Sequence, residues 1–174
     1  MAKTVELRRH TPNEGDVLTA AGVKAALEIG HRMRGPIQVA YSSGAQRATQ
    51  AAGCMVAGHG RAVPGGVVVE PGLRSKREDR WGEIIGQAGR DDIDALRAVD
   101  EAFVGAEAAA LAQALRRLFD RLADGQKALA VAHSPTNEAA VFGLTGEVVA
   151  PLRKGEGVTI VQDGHGAFTV SRAR

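Results

Sequence analysis

The sequence has a single cysteine, Cys54, so no internal disulfide can form and nothing in it argues for an oxidising compartment. Aromatic residues are also scarce, with one tryptophan, one tyrosine and four phenylalanines making up 3% of 174 residues. That leaves few of the flat side chains on which single-stranded nucleic acids stack. With no long Lys/Arg run, the net charge of +2 does not build a broad basic face either. Nucleic acid is therefore not an expected partner. No apolar stretch approaches the roughly 18 residues that would suggest a membrane span. Residues 1–4 lead straight into a strand-like segment, without the apolar core and small-residue cleavage site of a secretory signal. No membrane partner is expected, and the cytoplasm is the expected location. Internal repeats, low-complexity tracts and linkers are missing too, so 1–174 reads as one domain, long enough to bury a real core.

What the sequence does contain is a series of short extended runs that stop abruptly at histidines or serines. Val5-Glu6-Leu7-Arg8-Arg9-His10 alternates in character, and Pro12 turns Thr11 away from helical geometry. The pattern predicts a first strand that hands His10 to a loop. Residues 11–16 are turn chemistry, and Thr19 can cap a helix running to about Met33, with Val23, Ala26, Leu27 and Gly30 at apolar spacing and Gly35-Pro36 as its stop. His31, near the end of that helix, reads as structural. A second strand over 37–41 leads into Ser42-Ser43-Gly44-Ala45-Gln46-Arg47, a strand end, a serine cap and an alanine-rich helix carrying Arg47 in its first turn. A helix N-terminus attracts anions through its free N–H groups and dipole, and an arginine there adds a forked donor. Cys54 on this helix reads as a small buried apolar group, and His59, flanked by glycines, as an exposed loop residue.

A third strand is expected over 67–70, closed by Pro71-Gly72. Residues 73–83 are the most charge-dense of the chain and include its one tryptophan, Trp81; they read as a self-neutralising surface loop or a substrate-facing one. From 91 to 124 the pattern is helical, divided at Gly105, and the second piece places Leu111, Leu115, Leu118, Phe119 and Leu122 at core spacing. The unbroken apolar run 128–132 fits a central strand covered on both faces, and it ends at His133-Ser134-Pro135. Thr136 is expected to cap a short helix to about 145, and 158–162 and 167–171 to form a hairpin with His165 in its turn. This order of elements predicts an α/β fold, a three-layer α/β/α sandwich with a mostly parallel sheet and a C-terminal antiparallel hairpin.

Arg9-His10 after the first strand, Ser43 to Arg47 with Ala48-Thr49-Gln50 after the second, and His133 after the apolar strand together resemble the histidine phosphatase superfamily. That family includes the cofactor-dependent phosphoglycerate mutases and many small phosphatases. Leu18-Thr19-Ala20-Ala21-Gly22 is similar to the family's Leu-Thr-x-x-Gly helix start. Thr11 stands where the family's Arg-His-Gly signature has glycine. Pro135, two places after His133, is similar to the short protein-phosphohistidine phosphatase branch. The resemblance runs from the first strand to the last and implies a phosphoglycerate mutase-like domain.

It also implies roles. His10 would be the nucleophile, becoming a phosphohistidine; Arg9 and Arg47 would hold the phosphoryl oxygens; His133 would complete the cage, with no cofactor. Neutral imidazole suits the first role, because it is a good nucleophile near pH 7 and splits one difficult displacement into two. Glu78-Asp79-Arg80-Trp81-Gly82 resembles the family's Glu-x-x-aromatic-Gly segment, whose glutamate protonates the leaving oxygen, with Glu83 and Glu14 as the next candidates. A carboxyl in that role must stay protonated, which burial favours and adjacent arginines oppose. A zinc site on His10 and His133 is the metal alternative, and it lacks an evident third ligand. The expected activity is hydrolysis of a phosphorylated metabolite or of protein phosphohistidine. A mutase-type transfer and a non-catalytic phosphate-binding scaffold are the alternatives.

Overall fold

In the computed structural model, which describes residues 1–173, the alternating N-terminal run is strand β1 (Lys3–Arg9). Val5 and Leu7 enter the core on one side. Glu6 and Arg8 are buried on the other and pair there, Arg8 Nε donating to Glu6 Oε1 at 2.6 Å. The turn-rich segment after it forms a small hairpin of β2 (Asn13–Glu14) and β3 (Val17–Leu18). Helix α1 (Ala20–Arg32) follows, capped as expected by Thr19, whose hydroxyl accepts from Gly22 N at 3.1 Å. Next come β4 (Val39–Ser42), α2 (Gln46–His59), β5 (Val67–Val69) and a 3₁₀ turn (Pro71–Leu73). Three helices, α3 (Glu78–Ala88), α4 (Ile93–Val99) and α5 (Glu101–Asp120), lead to β6 (Lys127–Ala132), and α6 (Thr136–Thr145), β7 (Gly157–Gln162) and β8 (Phe168–Arg172) complete the chain.

The sheet order is β5-β4-β6-β1-β7-β8. The first four strands run parallel, while β7 pairs antiparallel with both β1 and β8, giving the expected hairpin with His165 exposed in its turn. Side chains alternate across a strand, and central β6 divides its residues between two cores. Leu129 and Val131 pack with α1 and α2, and Ala128, Ala130 and Ala132 with α5 and α6. The result is the three-layer sandwich that the order of elements predicts. Leu111, Leu115, Leu118, Phe119 and Leu122 are all buried in the second core. Among the described residues no helix is long and apolar enough to cross a membrane.

Several local expectations are corrected by packing. On α1 the buried stripe is Gly22, Ala26, Ile29 and Gly30, leaving Val23 and Leu27 at 37% and 39% exposure. The stripe is rotated because α2 comes too close for larger groups, and a Cβ on Gly30 would lie 2.0 Å from the Met55 carbonyl oxygen. The long helical stretch divides at Asp100, not Gly105. Asp100 Oδ1 accepts from Phe103 N at 3.0 Å and caps α5, inside which Gly105 lies. His59 is the buried last residue of α2, not a loop residue, and Gly60 ends the helix at φ +66. The second half of the charged segment is helix α3, not loop, and begins at Glu78. Cys54 is half-buried at the edge of the first core.

Candidate active site

The chain passes from β1 to β4 over the position that β6 later fills, and such a switch leaves a crevice at strand C-termini. Three loops meet there and are tied to one strand end. His10 N donates to Ala132 O at 3.0 Å and Ser43 N to Val131 O at 3.1 Å, while His133 follows β6 directly. The His10 and His133 rings are thereby held 5.3 Å apart, tilted by 59°.

His10 is 5% exposed, and its Nδ1 lies 2.9 Å from the Thr11 carbonyl oxygen. A carbonyl only accepts, so Nδ1 carries the proton and Nε2 the lone pair. Burial is the main force lowering its pKa from 6.5 to about 4, with the charges of Arg47, Arg9 and Lys154 acting the same way against the bond to Thr11. At neutral pH His10 is an uncharged imidazole with a basic Nε2.

His133 is set in the opposite tautomer. Arg47 Nη2, which can only donate, lies 3.3 Å from its Nδ1, and so Nε2 carries the hydrogen that Ser43 Oγ accepts at 2.7 Å. Burial first and the Arg47 charge second lower its pKa to about 3. The other branch of Arg47 is held by Asp16, Nη1 donating to Oδ1 at 2.7 Å. Asp16 also accepts from Gln46 N at 3.1 Å, so this carboxylate does the capping expected of a serine at the start of α2, where Ala45 holds the cap position. At α6 likewise Pro135 occupies the cap position, and the Thr136 hydroxyl donates to His133 O at 3.1 Å.

Arg9 lies beside His10, its Nη1 donating to Leu152 O at 2.8 Å. Glu78 lines a cleft of about 250 Å³ together with Arg47, Ser75, Trp81 and His133. Trp81 itself is core, edge-on to Phe103 with ring centroids 5.1 Å apart. The Glu78 side chain is 44% exposed and gripped by Arg74, whose Nε and Nη2 donate to its two oxygens at 2.7 and 3.0 Å. Those hydrogen bonds, with the charges of Arg74 and Arg47, hold its pKa below the ordinary carboxylate range against partial burial. Glu83 is bound to Arg80 with a 60% exposed side chain, and Glu14 is exposed on β2; neither lines this cleft.

The structure thus gathers Arg9, His10, Arg47, Glu78 and His133 at one end of the sheet. It adds Ser43 and Asp16, which hold His133 and Arg47, Arg74 on Glu78, and Lys154, whose charge acts on His10. In the sequence Ser43 was visible as a helix cap and as the first residue of the Ser43 to Gln50 signature, and Asp16 only as a turn residue; their partners His133 and Arg47 come from other elements. Nothing local marks Lys154. Among the described residues no group of three or more His, Cys, Asp or Glu side chains could hold a metal ion.

No curated protein matches the sequence. Among solved structures, a phosphoserine phosphatase from Entamoeba histolytica superposes with a TM-score of 0.73 at 17% identity, over 99% of this chain and 97% of that one. A phosphoglycerate mutase from Bacillus anthracis gives 0.66 at 17% identity, over 99% and 92%. A mycobacterial glucosyl-3-phosphoglycerate phosphatase gives 0.64 at 14% identity, over 99% and 98%. At these identities the likeness establishes the fold, that of phosphoglycerate mutase. The family model for branch 1 of the histidine phosphatase superfamily matches residues 5–167, and with nearly the whole chain spanned, the protein belongs to that superfamily.

Proposed function

We propose that this protein is a phosphatase that works through a covalent phosphohistidine on His10. One observation carries the reading: His10 is neutral, with its proton on Nδ1 and a lone pair on Nε2, and it stands among the charges of Arg9, Arg47 and Lys154. A nucleophile poised among cations suits an electrophile that arrives as a dianion, since phosphoryl transfer depends mainly on positioning and charge stabilisation. Nε2 forms a bond to phosphorus as the bond to the leaving oxygen or nitrogen breaks. Water then attacks phosphorus, the N–P bond breaks, and inorganic phosphate leaves with His10 restored. Arg9 and Arg47 hold the phosphoryl oxygens, and His133 joins them when its Nε2 hydrogen turns from Ser43 to the entering phosphoryl group. Glu78 donates the proton to the leaving group. The entering dianion draws Arg74 and Arg47 towards itself and makes the neighbouring carboxylate harder to keep ionised, which is how Glu78 acquires that proton.

Members of the superfamily are phosphatases or mutases. Hydrolysis is favoured over transfer because two of the three solved neighbours described above are named as phosphatases. The neighbours named for phosphoserine and for glucosyl-3-phosphoglycerate support a phosphorylated small molecule as substrate, while the His133-Ser134-Pro135 pattern keeps protein phosphohistidine beside it. Incubation with a labelled phosphorylated substrate, quenched without acid, should leave an acid-labile, alkali-stable phosphate on the wild type and none on His10→Ala. A chelator should leave the rate unchanged. Stoichiometric label on His10→Ala would overturn the mechanism, and loss of activity with chelator, restored by zinc, would favour a metal on His10 and His133.

A further inference from the structure

Glu138 is a buried carboxylate that the chemistry above does not use. It stands in the first turn of α6 with no exposed surface and touches two elements of the site at once. Its Oε1 accepts from the hydroxyl of Ser134, the residue after His133, and from Leu152 N at 2.7 Å. The Leu152 carbonyl accepts in turn from Arg9 Nη1 at 2.8 Å. A continuous chain of hydrogen bonds therefore runs from the His133 loop, through Glu138 and Leu152, to the guanidinium next to His10.

The arrangement is costly for a purely structural residue. Glu138 Oε2, Arg9 Nε and Asn137 Nδ2 are all buried without a hydrogen-bond partner among the described residues. Each such group carries a desolvation penalty that an apolar side chain would avoid. Burial accordingly pushes the Glu138 pKa up, opposed by the bonds from Ser134 and Leu152 and by the Arg9 charge. What an apolar replacement would lose is the single acceptor that ties Ser134 to Leu152.

We propose that Glu138 is a positioning residue of the phosphoryl cage, holding Arg9 and the His133 loop in register so that both meet the same phosphoryl group. The proposal rests on the phosphatase reading of the site. Its test is the hydrolysis of an aryl phosphate, with inorganic phosphate as competitive inhibitor, by full-length wild type, Glu138→Ala, Glu138→Asp and Glu138→Gln. Leu144→Ala, two turns along α6, serves as a buried-residue control.

Misplacing one arm of the cage should weaken phosphate inhibition about tenfold or more and lower kcat/KM about 10²-fold in Glu138→Ala. Glu138→Asp keeps the carboxyl group but is one methylene short of Leu152 N, and it should behave like Glu138→Ala; it carries the test if the alanine variant does not fold. Glu138→Gln keeps the acceptor and should recover phosphate affinity to within about threefold. Leu144→Ala should lose thermal stability with phosphate affinity intact.

Wild-type phosphate affinity in Glu138→Ala or Glu138→Asp overturns the proposal. So does a glutamine variant as impaired as alanine, or a Leu144→Ala control that loses phosphate affinity equally. A wild type that neither hydrolyses the ester nor is inhibited by phosphate overturns the phosphatase reading itself, and this proposal with it.

Discussion

Charge at a single residue decides what each group in this site can do. His10 and His133 are kept neutral mainly by burial, and their tautomers are set by partners that can only accept or only donate, Thr11 O and Arg47. Glu78 is the opposite case: with Arg74 on both oxygens it is a carboxylate until something removes that partner. If the entering phosphoryl group does so, Glu78→Gln should reduce turnover of an alkyl phosphate by about 10²-fold or more, and that of an aryl phosphate far less, because only the alkyl oxygen needs a proton to leave. Equal losses on both substrates would make Glu78 a holder of Arg74. No loss on either would leave the pair a surface ion pair of little energetic weight. The histidines and arginines were legible as residues because each ends or follows a strand-like run. The Arg74–Glu78 grip was legible only as a mixed charge run.

At the scale of elements, glycine acts in two opposite ways on neighbouring helices. A Cβ on Gly143 of α6 would lie 2.2 Å from the Ala108 carbonyl oxygen of α5, whereas one on Gly105 of α5 would meet nothing within 4 Å. Gly143→Ala should therefore force α5 and α6 apart and destabilise by about 1–3 kcal/mol. Gly105→Ala removes backbone freedom from an exposed helical site and should stabilise by about 0.5–1 kcal/mol. Denaturant midpoints of the two variants, moving in opposite directions, check both. Sequence reading placed a helix break at Gly105 because isolated glycine is a helix breaker on average. The break belongs instead to Asp100, whose side chain caps the next helix.

For the whole molecule, two buried neutral histidines make folding depend on pH. Their ordinary pKa of 6.5 is lowered in the folded state to about 4 for His10 and about 3 for His133. Between pH 6.5 and those values the unfolded chain binds protons that the folded chain refuses, so stability falls as pH falls through that window and is unaffected above it. By pH 5.5 the loss should approach roughly 1.4 kcal/mol per histidine. Carboxylates held low, such as Glu70 and Asp16, add to the loss only nearer their own range below about 4.5. Unfolding midpoints between pH 7 and 5 should decline for wild type and stay nearly flat for the double variant His10→Gln, His133→Gln. An equal decline in both would place the acid sensitivity elsewhere.

The sequence by itself determined the layers, the central place of β6 and the strand ends that carry His10, Ser43 and His133. These depend on period, apolar run length and turn chemistry, all of which are local. Tertiary structure decided which groups face one another. The order β4-β6-β1 brings Arg47 to His133 and ties His10 to β6; close helix packing turns Val23 and Leu27 outward and buries His59; the return of the chain before β7 puts Leu152 between Glu138 and Arg9. A side chain's type announces what it can donate or accept. Its partner, and with it its protonation state, is set by segments that only the completed sheet brings together.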